Sequence, residues 1–209
     1  MVSVYTFGDS ILDCGHYNPF GVNPGQLLVR NNDRLFPEFR GRGLVSLGPA
    51  RLIHRAQDGA TVSGLPAQAR RLKVEGESIA LLTIGGNDLL SRPAMGQGRE
   101  MQRFAEALEA FLQSLPIRPV LLGNVYDPTF GDDSLNFLGI EPSIVRQSHR
   151  MMNGVLAELG RRYGALIDLH AHFLTGDPSW FTQIIEPGLQ GASEIRRCFL
   201  HEVLPYVRH

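Results

Sequence analysis

The chain has 209 residues, 43% of them hydrophobic and 20% charged, a length that suits one domain (1–209) with a sizeable buried core. Basic side chains (20) and acidic ones (21) nearly balance at a net charge of −1, which excludes the broad basic field of a nucleic-acid or anionic-lipid binder and the acidic excess of a disordered chain. Two cysteines are too few for a disulfide framework, no apolar run reaches the roughly 18–20 residues of a membrane span, and Met1–Gly8 carries no leader-like segment, so the sequence reads as a soluble, cytoplasmic domain with neither nucleic acid nor membrane as partner.

In chain order, strands are expected at Val2–Phe7, about Ala50–Arg55, Ser78–Ile84, Pro119–Val125 and Ala165–Leu169. Ile79–Ile84 and Val120–Gly123 are apolar at nearly every position, as strands covered on both faces must be. Helices are expected at Pro66–Lys73, Gly98–Leu115, Ser143–Tyr163 and about Gln190–Val203, the last opened by a turn at Glu186-Pro-Gly188. In the second of these, Met101, Phe104, Leu108, Phe111 and Leu112 recur at three- and four-residue steps and give one buried face. Strands alternating with helices imply an α/β fold with a parallel sheet of about five strands. Residues 14–43 and 126–142, rich in Gly, Pro, Asn and Asp, are longer than ordinary connections and are expected to cover or line a site.

Chemistry concentrates where expected strands end. Val4-Tyr-Thr-Phe-Gly8-Asp9-Ser10 runs a strand into a Gly and then a Ser, placing a hydroxyl at the carboxyl edge of a parallel sheet, where ligands bind in such folds. A Ser there can act as a nucleophile when a base is near, and its own N–H can hold an oxyanion. Gly59, in the turn after the second strand, offers another N–H. The third strand opens into Gly85-Gly86-Asn87-Asp88, where two glycines allow close approach of a ligand and the Asn amide can donate to a developing negative oxygen. Each turn alone is unremarkable, but three turns after three strands form a constellation.

Phe7-Gly8-Asp9-Ser10, Gly59 and Gly85-Gly86-Asn87-Asp88, in that order, resemble the SGNH (GDSL) hydrolases, and the likeness spans residues 4 to about 200. The resemblance implies a flavodoxin-like three-layer α/β/α sandwich and an esterase or acyl hydrolase acting on a small-molecule acyl ester, with no cofactor or metal. It implies Ser10 as nucleophile, an oxyanion hole from Ser10 N–H, Gly59 N–H and Asn87, and structural roles for Asp9 and Asp88 in their turns. The family's final block, Asp-x-x-His-Pro-(small)-x-x-Gly, is met here by Gln183-Ile-Ile-Glu186-Pro187-Gly188-Leu-Gln-Gly191. Glu186 therefore stands where the general base His is expected, and Gln183 where its orienting Asp is expected.

Three explanations follow. Glu186 is itself the base, with the Gln183 amide donating a hydrogen bond to it; unperturbed Glu sits about 2 pKa units below His, roughly 3 kcal/mol of proton affinity that burial can partly recover. Alternatively a displaced histidine serves, with His170 and His172 best placed, then His16 and His54. Or the chain binds an acyl or carbohydrate ligand without turning it over. From a different class, His170 and His172 after the fifth strand suggest a metal-dependent hydrolase that uses water instead of Ser10. Trp180-Phe181 fits either an acyl-pocket wall or ordinary core, and the substrate-binding residues, the oligomeric state and the choice between hydrolysis and acyl transfer are left open.

Overall fold

A computed structural model describes residues 1–207; the last two residues of the expected 1–209 domain lie outside the described residues. Five parallel strands, β1 (Val2–Gly8), β2 (Ala50–His54), β3 (Ser78–Thr83), β4 (Val120–Gly123) and β5 (Gly164–Ile167), form one sheet in the order β2-β1-β3-β4-β5. This is the doubly wound order in which the chain reverses direction beside β1. Among the described residues there are seven α-helices: α1 (Pro24–Val29), α2 (Leu65–Gln68), α3 (Gly86–Ser91), α4 (Glu100–Ser114), α5 (Pro142–Tyr163), α6 (Leu169–Leu174) and α7 (Leu189–Val203).

Alternation along the strands builds the three layers. Val4, Ile79, Leu81, Leu121 and Ile167 pack on α1, α6 and α7, whereas Tyr5, Phe7, Ala80, Leu82, Val120 and Leu122 pack on α2, α4 and α5. Both faces are thus covered, which is why these strands read as unbroken apolar runs. Among the described residues no helix is long and apolar enough to cross a membrane.

The expected strands are all present, with ends shifted by at most two residues. The fifth stops at Ile167 because the Asp168 side chain accepts from Ala171 N and starts α6. The helix expected over Pro66–Lys73 is shorter, ending at Gln68, and Arg71 adopts φ 58°. The turn expected at Glu186-Pro-Gly188 is instead the second arm of a small antiparallel hairpin, β6 (Phe181–Thr182) with β7 (Glu186–Pro187), ahead of α7.

Candidate active site

Because β1 lies between β2 and β3 and all three are parallel, the turns that follow them meet at one edge of the sheet. Those turns carry Ser10, Gly59 and Asn87; Ser10 and Asn87 line one cavity, whereas Gly59 is exposed and outside its lining.

Two glycines make the turns tight enough. Gly8 (φ +114°) and Gly85 (φ +113°) end β1 and follow β3 in backbone conformations that side chains rarely adopt. A Cβ on Gly8 would stand 1.7 Å from the Thr83 carbonyl oxygen, and one on Gly85 would stand 2.9 Å from Met152 Sδ. Released from the strand at once, the chain bends so that Asp9 N–H donates to Thr83 O (3.1 Å) and Ser10 sits in the turn, nearly buried at 7% exposure. Gln68 of α2 clasps the same corner. Its Oε1 accepts from Gly8 N–H (2.7 Å), and its Nε2 donates to Gly8 O (2.8 Å). Nothing local in the sequence distinguishes this glutamine.

Asp9 and Asp88 hold turns, as the resemblance implies. Asp9 Oδ1 accepts from Thr83 Oγ1 (2.8 Å) and Ile11 N–H (3.2 Å), and Asp88 accepts from Val62 N–H (3.1 Å). Asn87 Nδ2 donates one hydrogen to Ala60 O (3.0 Å), which ties it to the Gly59 turn and leaves the second hydrogen of the amide unspent. Among the described residues neither Ser10 N–H nor Gly59 N–H has a hydrogen-bond acceptor. Gly59 itself is exposed, at φ +73°.

Glu186 comes to Ser10 from the hairpin. Its Oε2 is buried and, among the described residues, has no hydrogen-bond partner. Burial raises its pKa; the Ser10 hydroxyl pulls it back as a hydrogen-bonding neighbour, Asp58 raises it further and His16 lowers it. Ser10 is thus close enough to act on the carboxylate without filling the vacancy at Oε2. The expected donation from Gln183 is not made. Gln183 (φ 46°) and Ile184 (φ 75°) form the exposed hairpin turn, which swings the Gln side chain to solvent.

The histidines separate sharply. His16 Nε2 meets Asp58 Oδ2 (3.1 Å), the same oxygen that accepts from Tyr17 Oη (2.8 Å), and among the four candidate histidines it is the one whose charge Glu186 senses. His54 lies in a chain running from Thr6 Oγ1 (2.6 Å) through its own ring to Asp13 Oδ1 (3.0 Å). The other Asp13 oxygen accepts Asp58 N–H (3.0 Å), so this chain holds the turn before Gly59. His172 is bound to Glu194 (2.9 Å) and stacked on Trp180, while His170 packs edge-on against His149. The last two imidazoles face different neighbours, and among the described residues no three His, Cys, Asp or Glu side chains converge as metal ligands. Their expected joint metal site is therefore corrected.

A cavity of about 120 Å³ opens beside these groups, lined by Ser10, Asn87 and Glu186 together with α3, α5 and the 126–142 segment. The second expected loop thus lines the site. The first does not: among the described residues none of 14–43 is in the cavity lining, because His16 and Tyr17 are held on Asp58 and residues 20–34 border a separate open groove with Leu52. Trp180 and Phe181 do not line the cavity; they belong to an aromatic cluster with Phe173 and Tyr126, of which Tyr126 alone reaches the lining. His149, which does line it, carries no motif; its Nε2 donates to Val125 O (2.8 Å) and burial lowers its pKa.

Buried Asp9 yields a stability prediction. Desolvation raises its pKa to about 7, against the opposing hydrogen bonds and with a further rise from Glu186. A raised folded value favours folding at low pH, and that contribution is lost as pH climbs from the unfolded value, about 3.9, to about 7, on the order of 4 kcal/mol. Asp9→Asn removes this slope. Its Tm relative to wild type should rise between pH 4 and pH 8, and parallel melting curves across that range would refute the assignment.

Residues 6–201 match the GDSL-like Lipase/Acylhydrolase family. The chain belongs to that family. The fold is shared with the lipase Lip_vut3 from a goat rumen metagenome (17% identity, 97% of each chain covered, TM-score 0.67). It is shared also with the acetylxylan esterase Axe2 of Geobacillus stearothermophilus (18% identity, 96% of this chain and 93% of that one, TM-score 0.65). A lipase/acylhydrolase from Enterococcus faecalis is similar again (19% identity, 97% and 95%, TM-score 0.66). No curated protein sequence matches the chain.

Proposed function

We propose that this single-domain, cytoplasmic member of the family is a serine ester hydrolase in which Glu186 replaces the usual histidine as general base. The observation that carries the reading is the buried, unpartnered Glu186 Oε2 beside the Ser10 hydroxyl on the wall of a cavity. A buried carboxylate oxygen without a donor is costly unless the reaction supplies one. Here the donor is the proton of Ser10.

Glu186 takes that proton as Ser10 Oγ bonds to the ester carbonyl carbon. The carbonyl oxygen becomes an oxyanion and accepts from the unspent Ser10 N–H, Gly59 N–H and second Asn87 hydrogen. When the intermediate collapses, the ester C–O bond breaks and Glu186 returns the proton to the leaving alkoxide, giving an alcohol and acyl-Ser10. Water then attacks the acyl carbon with Glu186 again as base, releasing the carboxylic acid and restoring Ser10. Glutamate needs no tautomer fixed, so loss of the orienting Asp at position 183 is consistent with the exchange.

The test is incubation with a fluorophosphonate, followed by mass spectrometry. The expected result is one adduct, on Ser10. Ester hydrolysis without Ser10 labelling would overturn the serine mechanism, and absence of both would favour a ligand-binding protein. Asn87→Ala should lower kcat by about 10²–10³ with little change in KM, since its donation counts mainly in the transition state. A KM effect with kcat intact would contradict its role.

A further inference from the structure

Resting on the hydrolase reading, we infer that the site selects neutral acyl groups of about four to six carbons over acetyl, holding the chain between α3 and the 126–142 segment. The cavity that contains Ser10, Asn87 and Glu186 is otherwise mainly apolar, with Leu89 and Leu90 from α3, Phe137 and Leu138 from the loop, and Val145 from α5. An ester carbonyl seated on Ser10 therefore has apolar surface beside it. At about 120 Å³, the cavity is somewhat smaller than a buried cavity of roughly 150 Å³ that admits one benzene ring, so it suits an acyl group of about four to six carbons, carbonyl included.

The loop that forms one wall is fixed. Arg146 of α5 donates to Asp127 Oδ2 (2.7 Å) and Asp133 Oδ1 (2.6 Å), and Asp127 in turn accepts from Thr129 N–H (2.9 Å) and Gly131 N–H (3.1 Å). Partial burial pushes the Asp127 carboxyl up, but the Thr129 hydroxyl (2.7 Å), Arg146 and Thr129 N–H outweigh it and hold its pKa down at about 2. Two carboxylates against one guanidinium, with Glu186 close by, also leave no unpaired cation for an acyl group bearing a carboxylate. A preformed, apolar and net acidic lining favours a neutral hydrocarbon chain.

Each methylene buried should improve kcat/KM about fourfold until the cavity is full. Measured on p-nitrophenyl acetate, butyrate, hexanoate and decanoate, the wild type should prefer butyrate or hexanoate over acetate by about 15-fold or more, with decanoate falling away. Val145→Phe, filling the cavity from α5, should abolish that preference, bringing the relative kcat/KM values for acetate, butyrate and hexanoate within about threefold of one another. Phe137→Ala, at a side chain 39% exposed and therefore safe for folding, should move the optimum to longer chains. A flat series, or acetate as the best ester, overturns the inference. Should no ester turn over, calorimetric binding of acetamide against hexanamide separates the two claims. Tighter hexanamide binding by wild type but not by Val145→Phe keeps the acyl pocket and sinks the catalytic reading, whereas equal binding sinks both.

Discussion

Ser10→Ala should reduce kcat on any ester the protein cleaves by about 10⁴ or more, with KM nearly unchanged, because the covalent route is lost while the cavity is intact. Ser10 is nearly buried in a turn fixed by Gly8, Gln68 and Thr83, so loss of one oxygen should leave the melting temperature close to wild type. The variant should also take up no fluorophosphonate. Rates within tenfold of wild type would mean that water, not Ser10, attacks the ester.

Glu186→Gln should cost about 10²–10⁴ in kcat/KM, the usual worth of a positioned general base. The carboxylate must be ionised to act, so kcat/KM should rise with pH along a limb displaced above the ordinary glutamate value. Burial is the main cause of the displacement, with Asp58 adding to it and Ser10 and His16 opposing it. That limb should vanish in Glu186→Gln and persist in His16→Gln. The reverse pattern would assign the proton to His16 and its Asp58 partner. Glu186→His should rescue partly at best. Adding Gln183→Asp should bring little further gain, since position 183 lies in the exposed turn with φ 46° and its side chain is in solvent.

The parts of this site that were legible in the sequence share a physical reason. Strands covered on both faces are apolar at successive positions, so β1, β3 and β4 declare themselves, and so do the glycines that end or follow β1 and β3. Amphipathic α4 is equally plain. Short helices are not. The six residues of α1 begin at an Asn23–Gln26 capping box, and α3 is six residues pressed against a glycine turn, both too brief for a periodic pattern to develop. Glu186 was placed by the Pro-Gly spacing behind it, whereas the role expected of Gln183 failed because φ > 0 at 183 and 184 turns its side chain outward, which spacing does not encode. Gln68, His54 and His149 act through partners 60, 41 and 24 residues away, and such pairings are visible only once the chain has folded.

The β6–β7 hairpin has two paired positions, Phe181 with Pro187 and Thr182 with Glu186, and joins no strand of the central sheet. It is fastened by Tyr126 Oη donating to Ile185 O (2.7 Å) and by Gly188 N–H donating to Trp180 O (2.9 Å), bonds that use backbone carbonyls and no side chain of residues 183–186. The identity of the proton acceptor is thereby uncoupled from the architecture that presents it. Substitutions at 183 and 186 leave both of these bonds in place, so the two positions are expected to change through intermediates that still fold. A lineage on this scaffold can trade an imidazole for a carboxylate, or surrender turnover and regain it, at little risk to the fold.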